Sequence, residues 1–286
     1  MKTSIAHLPE TKQREILDIV EIIKGAVQAE KIILFGSYAT GDWVEDTYFE
    51  NGIKYDYISD YDFLIVTKED NEKVYESVEK ILAHTRSKFS IPVSPIIHSV
   101  TYVDKGLEEG QYFFKEIIDE GILLFDTNIV EFKKPKNLSR GEQREIASRY
   151  FSLWYPKAAS SLAGAQFYFS KEYINDAAFA LHQTAERLYN TVLLVFTGYK
   201  PKTHNIDKLR TYIKAISQPL FAIFPFPVKD EEENRLFEIL KRAYIDARYK
   251  DDYIISKEDF KTLVVKLEKM QKIVEGICRE KIASLN

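Results

Sequence analysis

The chain has 286 residues, 45% hydrophobic and 29% charged, a balance that suits a soluble protein of about two domains with ample core. A formal net charge of −4 supplies no electrostatic footprint for broad nucleic-acid binding. The lone Cys278 excludes disulfides and cysteine metal sites, no apolar run approaches the ~20 residues of a membrane span, and residues 1–8 lack a signal-peptide core, so a cytoplasmic protein is expected.

In chain order, Pro9 opens a predicted helix that carries Ile16, Ile19, Val20, Ile23 and Val27 at helical spacing. Ile32 to Phe35 form a short apolar run suited to a buried strand, and Gly36 stops it. Residues 46–58, within a 42–58 insertion, read as a hairpin turning at Asn51-Gly52, either an aromatic flap over a site or an inert surface hairpin. A strand over 60–66 follows, then a helix from about Asp70 with Val74, Val78, Ile81 and Leu82 inward, a strand over 91–98, a helix near 104–120 ending at Gly121, and a short strand at 122–125. That alternation predicts an α/β domain over 1–126. Residues 127–139 have linker composition.

From Ser139 onward the period is 3.6. Helices are predicted at about 139–170 with a kink at Pro156, then 175–197, 205–217, 230–249 and 256–283. Ser139 and Glu142 form a capping box, Gly198 is a helix stop, and Pro219 to Pro227 is an apolar loop that must pack on something. The fold class expected is therefore α+β: an N-terminal α/β domain and an all-α bundle over 140–286.

Two short patterns carry chemistry. Gly36 tolerates unusual backbone angles and lets a phosphate approach the main chain, and Ser37 adds a hydroxyl donor at the turn. Asp60 and Asp62, 23 and 25 residues after Ser37, share one face of a strand because the strand period is two. Paired carboxylates suit Mg²⁺, or Mn²⁺ in its place, shared with substrate phosphates. Each half by itself also reads as an ordinary turn or a solvated strand start.

Together they resemble the nucleotidyltransferase superfamily, which includes DNA polymerase beta and the minimal and kanamycin-type enzymes, with its Gly-Ser, spacer and Asp-x-Asp pattern. The resemblance implies that Gly36, Ser37 and Ser59 bind an NTP, with ATP the one expected, and that Asp60 and Asp62 are the catalytic metal ligands. It also implies a third carboxylate on a later strand. The strand over 91–98 contains no acid, and Ser94 or His98 stands in its place. Slow catalysis, a base supplied elsewhere, a site that binds nucleotide without turnover, or another carboxylate from the bundle (Glu142, Glu145 or Glu186) that completes the site all fit that gap.

Residues 145–283 resemble the HEPN domain. His182-Gln183-Thr184-Ala185-Glu186 looks like its His-Gln-x-x-Glu helix, Thr203-His204 like its Thr-His stretch, and Tyr244 to Tyr249 like its Tyr-x-x-x-Arg-Tyr segment. HEPN ribonucleases place a histidine four to six residues after an arginine, whereas here Arg242 leads to Arg248, which stays protonated and cannot serve as an acid/base group. No RNase activity is expected. His182, Glu186, Arg242 and Arg248 form either a secondary phosphate site or a structural set, with Asp246, Asp251 and Asp252 as salt-bridge partners.

The expected function is transfer of a nucleoside monophosphate to a hydroxyl, on a protein tyrosine or an aminoglycoside-like small molecule. The alternative is a non-catalytic nucleotide sensor, scaffold or toxin–antitoxin-like regulator. A homodimer through the bundle is a further expectation from the HEPN resemblance.

Overall fold

The computed structural model describes residues 1–50, 53–69, 76–78, 80–82, 88–89, 91–224 and 231–285. The chain forms two compact units, Met1–Asn137 and Leu138–Asn286. No helix among the described residues is long and apolar enough to cross a membrane.

The first unit is built on a four-stranded sheet. Its strands are β1 (Ala29–Phe35), β4 (Tyr61–Thr67), β5 (Val93–Ser99) and β6 (Ile122–Asp126), in the order β5-β4-β1-β6. β4 and β5 are parallel and the other pairs antiparallel. Alternation along the strands sorts the side chains. Ile32, Leu34, Phe63, Ile65 and Ile97 share a core with Ile16, Ile19, Val20 and Ile23 of α1 (Glu10–Ala26). The opposite face carries Phe35 and His98, which meet Phe113 and Phe114 of α4 (Tyr112–Glu120) and Tyr102 of α3 (Val100–Glu108). A single helix expected near 104–120 is thus two, broken at Gly110, whose φ of 72° is a left-handed stop.

Between β1 and β4 lie α2 (Ser37–Thr40) and a hairpin of β2 (Glu45–Glu50) and β3 (Ile53–Ile58), in register from Glu45↔Ile58 to Glu50↔Ile53. The expected turn at Asn51-Gly52 lies outside the described residues, as do Asp70 and Val74 of the next predicted helix; residues 76–78 and 80–82 are helical, with Val78 and Leu82 buried.

The segment expected as a linker packs onto the first unit. Thr127 bonds Glu30, the amide of Lys133 donates to Asp104, and the amide of Lys136 donates to the Leu107 carbonyl. Lys31, only 5% exposed, holds Asp126 at 2.7 Å, and its charge keeps that carboxyl below the usual range against the effect of burial.

The second unit is helical. Ser139 and Glu142 cap α5 (Arg140–Ser170), which runs through Pro156 as one helix, and Gly198 (φ 71°) ends α6 (Ile174–Thr197). The helix expected over 205–217 is α7 (Ile206–Ile213), followed by α8 (Gln218–Phe221), where the Ser217 hydroxyl caps a turn with Pro219 in its first positions. Leu220, Phe221, Ile223 and Phe224 of the expected apolar loop are buried, and residues 225–230 lie outside the description. The helix expected over 230–249 divides into α9 (Glu231–Arg242) and α10 (Asp246–Tyr249), with the Tyr244 carbonyl taken by Arg248 Nε at 2.6 Å. The last helix, α11 (Lys257–Ala283), buries Cys278, whose thiol pKa burial pushes up to about 12.

Candidate functional site

Gly36 is where the backbone leaves β1, with φ 71° and ψ −156°, a conformation essentially restricted to glycine. A Cβ there would lie 2.6 Å from Asp62 Oδ2, so the carboxylate sits directly against the glycine. The cross-strand register explains the contact: Phe35 and Asp62 are partners, and the residue after Phe35 reaches the same row. Asp62 is partly buried. Burial, and then the charge of Asp60 two residues earlier, hold its carboxyl well above the usual carboxylate range. Among the described residues no cation pairs with Asp62. Ser37 opens α2 immediately after Gly36.

Ser59 sits at the base of the β2–β3 hairpin. Its hydroxyl accepts from the Val44 amide at 3.0 Å and its own amide donates to the Val44 carbonyl at 2.9 Å, closing the base of the hairpin beside Asp60. The other face of this corner is aromatic. Tyr38 of α2 is fully buried, stacks on Trp43 at 5.5 Å and donates to Glu45; Tyr61 donates to Glu15 of α1. Burial, then these carboxylates, raise both phenol pKa values far above the ordinary one, so both stay protonated donors.

On β5, Ser94 is the residue in register with Asp62, while His98 pairs with Val66, is buried and stacks on Tyr102 at 4.1 Å. Ser94 therefore flanks the carboxylate pair, and His98 lies four residues deeper in the sheet. Among the described residues no group of three His, Cys, Asp or Glu side chains is placed to hold a metal ion.

In the second unit, His182 and Glu186 lie one turn apart on α6, 1% and 6% exposed. The His182 ring nitrogens are 3.0 Å and 3.1 Å from the carbonyls of Leu240 and His204; burial pulls its pKa below the ordinary value, opposed by Leu240 and Glu186. His204 Nδ1 lies 3.1 Å from both Glu186 oxygens, and Gln183 donates to one of them. The His204 ring stacks on Tyr244, and the Arg248 guanidinium lies over that same ring at 4.4 Å. Arg242 is not part of this cluster: it donates to Asp246, which also takes Lys250, and those two cations hold the Asp246 carboxyl below its usual range.

Comparison with known proteins gives two kinds of match. The HEPN domain family profile matches residues 151–277. A protein of Methanocaldococcus jannaschii named "Putative protein adenylyltransferase MJ0141" is 31% identical over 110 residues, covering 36% of this chain and 99% of the relative. A second from the same organism, "Putative protein adenylyltransferase MJ0604", is 28% identical over 116 residues, covering 40% of this chain and 98% of the relative. The chain belongs to the nucleotidyltransferase superfamily and carries a HEPN domain.

Within this nucleotidyltransferase–HEPN chain, the Gly36–Asp62 contact joins residues 26 positions apart, and the spacing of the two motifs already signalled it. Tyr38, Trp43 and Glu45 carried no such signal, since nothing in an aromatic or a lone acid after a turn distinguishes a buried stack from surface. In the HEPN domain, His204 and Tyr244 complete the His182–Glu186 pair. Their positions in the Thr-His and Tyr-x-x-x-Arg-Tyr stretches were the available clue.

Proposed function

We propose that the protein is a Mg²⁺-dependent nucleotidyltransferase that moves a nucleoside monophosphate, AMP from ATP, onto a hydroxyl of a protein. Residues 1–126 form its nucleotidyltransferase domain and 140–286 its HEPN-like bundle. The observation that carries the reading is the Asp62 carboxylate lying against Gly36, with Asp60 adding a second charge beside it. Two carboxylates brought together against their own repulsion, at a backbone cradle that a Cβ would fill, fit a hard divalent cation and substrate phosphates. Asp60 and Asp62 would hold Mg²⁺, which when bound neutralises phosphate charge and assists displacement. Gly36 leaves room for the triphosphate against the main chain, and the Ser37 hydroxyl donates to a phosphate oxygen. The acceptor oxygen attacks the α-phosphorus in line, loses its proton to solvent or a base, and the bond to the β-phosphate oxygen breaks to release pyrophosphate. The relatives' name, protein adenylyltransferase, supports ATP and a protein acceptor over an aminoglycoside-like compound.

A second reading is a nucleotide-binding regulator without turnover, favoured by Ser94 standing in register with Asp62 where the superfamily pattern implies an acid. One experiment separates the two: calorimetry of ATP with and without Mg²⁺, beside pyrophosphate release and α-label incorporation into a protein mixture. Transfer requires label that disappears in Asp60→Ala and Asp62→Ala. Mg²⁺-dependent binding with no release supports the regulator, and equal ATP affinity in the unaltered protein and both variants, whatever the metal, overturns both.

A further inference from the structure

We propose that residues 1–8 form a strap that positions the Gly36-Ser37 turn for its nucleotide, with His7 and Lys2 as positioning residues that act through the carbonyls of α2. The inference rests on the nucleotidyltransferase reading above. A helix of four residues cannot hold its own geometry in water, because one turn does not repay the entropy of fixing it. Its carbonyls must be satisfied by something else. Gly36 O receives the amides of Ala39 and Thr40, and Ser37 O receives the Gly41 amide and the Thr40 hydroxyl. The next two carbonyls have no following turn, and the strap supplies their donors. His7 Nε2 lies 3.0 Å from Tyr38 O, and Lys2 Nζ lies 3.4 Å from Ala39 O.

The strap is itself held at both ends. The Lys2 amide donates to Gly121 O at 3.1 Å and its carbonyl accepts from the Leu123 amide at 2.8 Å, which fixes it beside β6. Ile5 and Leu8 are buried in the same core as Tyr38 and Ala39, and Gln13 of α1 donates to Leu8 O at 2.7 Å. His7, by contrast, is exposed, and its hydrogen bond is with α2 rather than with the core. The His7 ring also approaches Gly41, where an added Cβ would meet Cδ2 at 3.9 Å. Donation to Tyr38 O requires the proton on Nε2. With both carbonyls engaged, α2 is held to the strap, and Ser37 at its start keeps its place next to Gly36, which lies against Asp62.

The test uses the full chain with His7→Leu, His7→Gln and Lys2→Met, read by Mg²⁺·ATP calorimetry and by hydrogen exchange of the amides from Ser37 to Gly41. Loss of one donor should weaken Mg²⁺·ATP binding by about 3- to 10-fold and speed exchange in α2. His7→Gln, whose side-chain amide can still donate, should recover affinity to within about 2-fold of the unaltered protein, and Lys2→Met should show a smaller loss than His7→Leu because its contact is longer. A merely structural strap would lower the melting temperature and leave affinity unchanged well below it. Unaltered affinity in His7→Leu, or no recovery in His7→Gln, overturns the strap alone. Absence of Mg²⁺·ATP binding by the unaltered protein overturns the nucleotide reading, and the strap's role with it.

Discussion

At position 62 a carboxylate is kept partly out of water beside a second one, and the fold bears the cost of ionising it. An aspartate whose folded pKa is raised destabilises the fold once the pH exceeds the unfolded value of about 4, and fully so above the folded value; below both, the penalty vanishes. Asp62→Asn is therefore expected to raise the melting temperature of metal-free protein at pH 7.5 by about 2–4 °C, for roughly 1 kcal/mol. That advantage should shrink as the pH falls, and the variant should lose Mg²⁺·ATP binding. Scanning calorimetry in EDTA across pH checks it, and a lower melting temperature at every pH would contradict it. Gly36→Ala should act the other way on stability. It forces a positive φ on an alanine and drives its Cβ to 2.6 Å from Asp62, costing about 2–3 kcal/mol in urea unfolding and displacing the carboxylate.

Helices of the second unit are tied by side chains that face each other across sequence distance. Glu186 of α6 receives His204 from the segment before α7, so Glu186→Ala takes the acceptor from His204 and Gln183 and should lower stability by about 1–2 kcal/mol in urea titration. Glu186→Gln, which keeps an acceptor, should lose less. At the start of α11, Ser256 accepts from the Asp259 amide, and Arg235 of α9 pairs with the Asp259 carboxylate and keeps its pKa below the usual range. Because that folded pKa is depressed, the stabilisation is present above the unfolded value and is lost as pH falls through the folded one. Unfolding of Asp259→Asn should accordingly begin at lower urea than the unaltered protein at pH 7, and the two should converge in strong acid.

On the scale of the whole molecule, each unit has its own buried core, the first around Ile32, Leu34 and Phe63 and the second around Leu181, Leu188 and Leu267. A fragment of residues 138–286 is expected to fold alone, with a helical circular-dichroism spectrum and a cooperative thermal transition; a non-cooperative melt would show that its core is insufficient. The same fragment is expected to leave RNA intact without metal. Arg248 stays charged and lies over Tyr244, Phe179 and Tyr249, while Arg242 is engaged by Asp246. RNA cleavage that disappears in Arg242→Ala would contradict this.

Periodicity and short motifs were enough to place most elements and both halves of the candidate site, because burial of one face imposes a period of two or 3.6 directly on the residue order. Ile16, Ile19, Val20 and Ile23 announced α1, and Gly36-Ser37 with Asp60-x-Asp62 announced the corner where β1 ends beside the start of β4. The breaks at Gly110 and at 243–245 were not legible, since a helical stripe of side chains continues across a turn that only backbone angles reveal. The packing of 127–136 on the first unit was hidden for a related reason: Lys-rich, Pro-containing composition reads as linker until a partner such as Asp104 or Glu108 stands opposite. Tertiary structure alone chose between Ser94 and His98 as the neighbour of Asp62, because strand register is a relation between two segments. It also decided that Arg242 pairs with Asp246 while Arg248 joins His204 at Tyr244, because a charge takes the partner that three-dimensional proximity provides.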